Sequence, residues 1–186
     1  MMKRLLIILF VFAAGCGGKT PDLTQYLLRA DNPGQIVGEA PASTGIGDLT
    51  VASYIDEPGL VLESSNGEVR SARHHQWAEP LRESLRSFLA AEIATASGQA
   101  IGSHKHRAST WKRRIDIHID QLHGNADGDA TLVAYWAVID AGKLKLISEK
   151  AFSDTEPLAG DGYDALVRAE KILLSRLAVA IAATLN

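Results

Sequence analysis

The chain predicts an α/β fold: a single domain with a mainly antiparallel or mixed β-sheet and two long helices packed on one face. Three observations carry this. Ile115, Ile117 and Ile119 alternate with Asp116, His118 and Asp120, the period of a half-buried strand. Leu81, Leu85, Phe88, Leu89 and Ile93 recur at helical spacing, as do Leu166, Leu173, Leu174, Leu177 and Ile181. The order is β-rich stretch, helix, three-stranded meander, helix. Each helix therefore carries an apolar stripe that a sheet can cover.

The first segment is built for targeting. Lys3 and Arg4 precede the uncharged residues 5–12, and Ala13-Ala14-Gly15-Cys16 closes the run. A basic start, a short apolar stretch and small residues before a cut are the parts of a secretory signal. The span is too short for a membrane-crossing helix, which needs about 20 apolar residues. Small side chains at Ala14 and Gly15 suit a peptidase groove, and the pattern resembles the lipobox of bacterial lipoproteins. That resemblance implies cleavage before Cys16, a diacylglyceryl thioether on its sulfur and an acylated new N-terminus. Several acyl chains make a durable anchor where one alone is marginal. Gly17 replaces the aspartate that commonly retains lipoproteins in an inner membrane, so delivery to the cell outer membrane is expected.

Domain boundaries follow: 1–15 signal peptide, 16–47 lipidated N-terminus and tether, 48–186 the α/β domain. Cleavage leaves 186 − 15 = 171 residues, ample for one core. Between residues 17 and 47 the composition is rich in Gly, Pro, Ser and Thr, interrupted by a short strand at Gln25-Tyr26-Leu27-Leu28. Leu49, Val51 and Ile55 alternate, and Leu60-Val61-Leu62 forms the next strand. Asn66-Gly67 supplies the left-handed backbone of a tight hairpin before Val69. The first long helix starts near residues 78–80, where Pro80 suits a first turn, and Gly98 ends it.

Ile115–Ile119 opens the meander with one oily face. Residues 124–129 turn, and 132–139 are apolar on both faces, which predicts the central strand. Asp140-Ala141-Gly142 turns again, and Leu144 and Leu146 alternate with Lys143 and Lys145, an edge strand with an outer row of lysines. The last helix runs over 162–185 with Asp161 as its cap. Its final third is apolar nearly all round, so it is either deeply buried or meets another subunit.

Composition excludes several classes. Hydrophobic residues make up 46% and charged residues 22%, which argues against disorder, and a formal net charge of −3 gives no global reason to expect nucleic acid. The one cysteine precludes an internal disulfide and any cysteine-based metal cage. Gly45-Ile46-Gly47 lacks a third glycine and is a poor phosphate loop. No Gly-x-Ser-x-Gly elbow is present. No catalytic residue, cofactor or metal is expected.

The remaining candidates have two readings each. Trp77 packs on the helix it precedes or serves a partner as a hot spot, and Tyr54 and Pro58 stand the same way. His74, His75, His104, His106, His118 and His123 are solvent-exposed or polar-face residues rather than a metal site, since no carboxylate lies near His104 and His106 as a third ligand. The basic run 105–114, with Lys105, Arg107, Lys112, Arg113 and Arg114 around Trp111, is a solvated loop or touches acidic lipid headgroups or an acidic partner.

Tyr54-Ile55-Asp56-Glu57-Pro58, then Val61, Asn66 and Trp77-Ala78-Glu79-Pro80-Leu81, form an ordered set. Residues 115–138 add the Gly124…Gly128 turn and Tyr135-Trp136, and Tyr26-Leu27-Leu28 stands upstream. Together they resemble the ABC-type transport auxiliary lipoproteins over most of the mature chain. The resemblance implies an outer-membrane lipoprotein that docks a periplasmic mammalian-cell-entry (MCE) protein in a lipid-transport system, without chemistry of its own. The apolar end of the last helix adds the expectation that copies associate with one another, and a symmetric ring would meet the equivalent edges of a tube-like partner together. The alternative class is a structural or regulatory envelope lipoprotein that binds a cell-wall synthase or an outer-membrane assembly partner.

Overall fold

The computed structural model describes residues 22–31, 42–103 and 105–185, with the backbone alone for 105–107. The signal segment, Cys16, Gly17 and His104 lie outside the described residues. Eight strands form one mixed sheet: β1 (Thr24–Tyr26), β2 (Thr44–Val51), β3 (Gly59–Glu63), β4 (Val69–Trp77), β5 (Ile101–Gly102), β6 (Arg113–Gly124), β7 (Asp129–Asp140) and β8 (Lys145–Pro157). Two helices, α1 (Leu81–Ser97) and α2 (Tyr163–Ala183), pack on each other and on the sheet.

β6 organises the sheet. Antiparallel β7 lines one edge from Arg113↔Asp140 to Gly124↔Ala130. The other edge is shared: parallel β2 takes residues 113–119, and β3 joins at Leu62↔Gly124. Beyond β3 lie β4 and β1, beyond β2 lies β5, and beyond β7 lies β8. Ile115, Ile117 and Ile119 are all buried, as their spacing predicts. The central position, however, belongs to β6 rather than to β7. Ala130, Leu132, Ala134, Trp136 and Val138 point into the core, whereas Val133 and Ile139 are only half-buried and Tyr135 is 46% exposed. Apolar character on both faces of β7 therefore does not mean burial of both.

Several elements depart from the sequence expectation. β2 begins at Thr44, so Gly45-Ile46-Gly47 is strand, not tether. Its placement is explained by Trp111, which is 6% exposed. A Cβ on Gly45 would lie 2.1 Å from the Trp111 ring, and one on Gly102 would lie 2.6 Å from it. Only glycine lets both strands pass beneath that ring. At the bulge that follows in β2, the Asp48 amide donates to Asp116 Oδ1 (2.9 Å) and Arg86 Nη1 donates to the carbonyls of Ile46 and Gly47 (2.7 and 2.9 Å). A strand edge left without its ladder is thus satisfied by side chains.

The α1 stripe is as expected: Leu85, Phe88, Leu89 and Ile93 are buried, and Gly98 closes the helix at φ 67°. α2 does not start on an Asp161 cap; Gly162 occupies the N-cap without a side-chain hydrogen bond. Its apolar end is mostly absorbed within the domain, with Leu177, Ala178, Ile181, Ala182 and Leu185 buried, while Val179 is 60% exposed. One charged residue shares this core. Glu170 is 1% exposed and its Oε2 has no hydrogen-bond partner among the described residues. Burial pushes its carboxyl up to about 8. β8 is an edge strand, but Leu144 and Leu146 do not face the core: they are 76% and 53% exposed.

Candidate partner-docking site

The loop after β2, the end of β4 and the first turn of α1 converge on a cleft of about 540 Å³. The Trp77 amide donates to the Pro58 carbonyl (2.7 Å), and the Ala78 amide donates to the Tyr26 carbonyl (2.8 Å). These bonds tie Asp56-Glu57-Pro58 and β1 to the β4–α1 connection. Pro80 then starts α1, its carbonyl accepting from the Glu83 and Ser84 amides at 3.1 and 3.2 Å. Proline fixes φ where no amide donor is required, so the turn into the helix is preset.

Two arginines hold the rim. Arg82 donates bidentately to Asp56, Nε to Oδ1 at 3.0 Å and Nη2 to Oδ2 at 2.6 Å. Arg29 Nη2 donates to both Glu79 oxygens at 2.5 Å, and Ser84 Oγ adds a bond at 3.3 Å. Arg29 holds the Glu79 carboxyl below the usual range. Glu57 and Glu83 stand exposed beside these pairs. The cleft therefore presents an apolar floor around Pro58, Pro80 and one edge of Trp77 inside a polar rim with more carboxylates than guanidiniums.

Of the three sequence-derived candidates, the structure brings Pro58 and Trp77 together and leaves Tyr54 apart. Pro58 is exposed. Trp77 is 6% exposed and belongs to the hydrophobic core, with its outer edge on the cleft. Tyr54 lies against the His123 ring, centroids 6.0 Å apart. Burial, with Asp120 and Glu63 nearby, pushes its hydroxyl up to about 12. Arg82 and Arg29 carry no local signal in the sequence, because the pairs they form are 26 and 50 residues apart.

The histidines scatter. Among the described residues no three His, Cys, Asp or Glu groups come within reach of one ion. His123 is a correction to the polar-face expectation: it is 3% exposed, with Nδ1 3.3 Å from the Gly124 carbonyl and Nε2 3.7 Å from Glu63. His75 stacks on Tyr163, centroids 4.2 Å apart, and its Nδ1 lies 3.0 Å from the Tyr26 hydroxyl. Burial, then Asp164, pushes that hydroxyl up to about 12. A tyrosine that holds its proton so tightly is poorly suited to act as nucleophile or base.

A mixed sheet with two packed helices, and a polar-rimmed cleft where β4 meets α1, is the frame that the comparisons with known proteins address. Residues 26–182 match the family of ABC-type transport auxiliary lipoprotein components, and the chain belongs to that family. It is 25% identical over 193 residues to the intermembrane transport lipoprotein PqiC of Escherichia coli (strain K12), covering 98% of this chain and 96% of that one. The PqiC of Shigella flexneri matches to the same extent. Among solved structures, an uncharacterized protein superposes with a TM-score of 0.75 at 20% identity, over 89% of this chain and 100% of that one. Protein XCC0632 from Xanthomonas campestris superposes at 0.64 with 14% identity, over 87% and 91%. These likenesses establish the fold. No described helix is long and apolar enough to cross a membrane.

Proposed function

We propose that the protein is a lipid-anchored, non-catalytic component of an intermembrane lipid-transport system, held on the outer membrane through Cys16 and facing the periplasm. The observation that carries this reading is the near end-to-end match to intermembrane transport lipoproteins. The partner is the periplasmic part of an MCE-domain protein, and the cleft around Pro58 and Trp77 is where it docks. The acidic rim suits a partner surface with basic residues around an apolar anchor. Tyr54, packed on His123 away from the cleft, is outside this contact.

Copies of the domain associate with one another in this reading. Ile172 and Val179, 42% and 60% exposed, lie with Phe88 along a groove between α1 and α2 that a second copy can cover. A ring of copies meets a multi-subunit partner at several equivalent points and gains avidity without a strong single contact.

The test is co-purification of the full-length lipoprotein with the MCE protein of its own transport system, alongside Pro58→Lys and Glu83→Lys. Wild type retains the partner and both variants weaken it, with melting temperatures within a few degrees of wild type. Light scattering counts the subunits. A wild-type chain that ignores the MCE protein and instead retains a cell-wall synthase or an outer-membrane assembly factor replaces this reading with that one.

A further inference from the structure

The turn between β7 and β8 exposes three large apolar side chains at once: Leu144 (76%), Leu146 (53%) and Ile147 (53%). The backbone is arranged to present them. Leu144 has φ 51°, a left-handed conformation that residues other than glycine rarely adopt. The β7–β8 register passes from Val138↔Ser148 to Ile139↔Leu146, so Ile147 is the extra residue of a bulge. Without that bulge the strict alternation of β8 would turn one of the two neighbours toward the sheet.

The same end of the sheet gathers positive charge. The Ala141 amide donates to the Lys112 carbonyl (2.9 Å), and across the strands Arg113 is in register with Asp140 and Asp140 with Lys145. Lys112, Arg113, Lys143 and Lys145 are all exposed. Among the described residues Asp140 stands with them, its Oδ1 accepting from the Gly142 and Lys143 amides at 3.0 and 2.9 Å, and Arg113 Nη1 donates to the Leu185 carbonyl. The basic run that the sequence displays thus ends beside an apolar tip that lies 30 residues later.

From this juxtaposition we infer that the β7–β8 tip is a second docking surface, one that takes an acidic protein segment with an apolar face. Apolar anchors inside a charged ring are the anatomy of a protein contact, and four cations call for carboxylates. A lipid bilayer is the competing occupant, and strand direction argues against it. β1 is parallel to β4, β4 is antiparallel to β3, and β3 is parallel to β6, so the chain reaches β1 near the Gly124 end of the sheet. The tip is at the Arg113 end, about 35 Å away along β6. The six residues from Cys16 to Asp22 span at most about 21 Å. An anchor at Cys16 therefore stays within about 21 Å of Asp22, at the end of the sheet away from the tip.

The inference borrows the transport reading only for its probe. The mature chain carrying Cys16→Ser is titrated with the periplasmic part of the MCE protein, beside Lys143→Glu/Lys145→Glu and Leu146→Ser. Both tip variants bind at least about tenfold more weakly, and the charge swap also flattens the salt dependence. Equal binding by wild type and tip variants overturns the tip and leaves the transport reading intact. In parallel, a photo-crosslinking amino acid replaces Leu144 in the full-length lipoprotein in cells. An adduct with the MCE protein that disappears on the charge swap supports the inference. If purified wild type ignores the MCE protein but the charge-dependent adduct is another acidic envelope protein identified by mass spectrometry, the transport reading falls and the tip stands. Adducts with lipid alone, with a second copy alone or with nothing overturn it, as does tip-dependent binding to vesicles of phosphatidylglycerol and phosphatidylethanolamine.

Discussion

Glu170 lets the pH dependence of stability be worked out from one residue. Its carboxyl is completely buried, Oε2 lacks a partner among the described residues, and burial moves its pKa from 4.5 up to about 8. Between those values the folded chain holds a proton that the unfolded chain has released. Stability is then unaffected by this group below pH 4.5, falls as pH rises, and stops falling once pH passes about 8. At pH 7 the penalty is the 2.5-unit gap from 4.5, about 3 kcal/mol at 1.36 kcal/mol per unit. At pH 5 it is below about 1 kcal/mol. Glu170→Gln keeps the shape of the protonated acid and cannot ionise, so it removes this slope. Urea unfolding of the mature chain with Cys16→Ser at pH 5, 6, 7 and 8 measures it. Wild type loses about 2–3 kcal/mol relative to the glutamine variant between pH 5 and 7. In melting temperature that is about 5–10 °C for a domain of this size. Parallel curves for the two proteins across this range refute the reasoning, because a carboxylate that costs nothing to ionise is not buried without a partner.

Three further outcomes follow from other parts of the molecule. Ile117→Asp puts a charge in a site that is 3% exposed and unfolds the domain or costs several kcal/mol, whereas His118→Ala changes melting by no more than a few degrees; equal thermal stability would overturn the β6 register. Trp111→Ala empties the space above Gly45 and Gly102 and costs about 3–5 kcal/mol by denaturant unfolding, while Lys112→Ala beside it stays within about 0.5 kcal/mol. Cys16→Ala abolishes metabolic labelling by a fatty-acid analogue, since the chain has no other thiol, and Gly17→Asp shifts the labelled protein toward the inner membrane in a fractionation.

Legibility in the sequence tracks how local the determinant is. The α1 and α2 stripes and the isoleucines of β6 are periodic, and the structure buries them where the period says. The Asn66-Gly67 hairpin is equally local, with Gly67 at φ 79°. β4 escaped notice beyond Val69 because Arg70-Ser71-Ala72-Arg73-His74-His75-Gln76 has no apolar alternation; it is a strand because β3 and β1 flank it. β8 is longer than its two leucines suggest for the same reason, pairing with β7 over its whole length. Trp111 looked like part of a basic surface run and is a core residue, a role visible only once Gly45 and Gly102 are seen beneath it. Glu170 left a signal that was passed over: it falls on the stripe of Leu166, Leu173 and Leu177, where a charged residue is out of place. The cleft could not be read from one segment, because its rim pairs Asp56 with Arg82 and Arg29 with Glu79.

The order in which the strands appear in the chain has a consequence for assembly. β2 finds its neighbours only in β5 and β6, and its registered partner Arg113 is 69 residues downstream of Thr44. β1 likewise waits for β4. The β6–β7–β8 meander and α2, by contrast, are contiguous and already contain the two largest interfaces. In a chain that emerges N-terminus first, whether from a ribosome or across a membrane, β1 can close on the β3–β4 hairpin early, whereas β2 has only the two-residue β5 to close upon until β6 has followed. The long β2–β6 ladder therefore forms only after the meander has begun to arrive, and a pairing of such sequence separation slows the closure of the sheet.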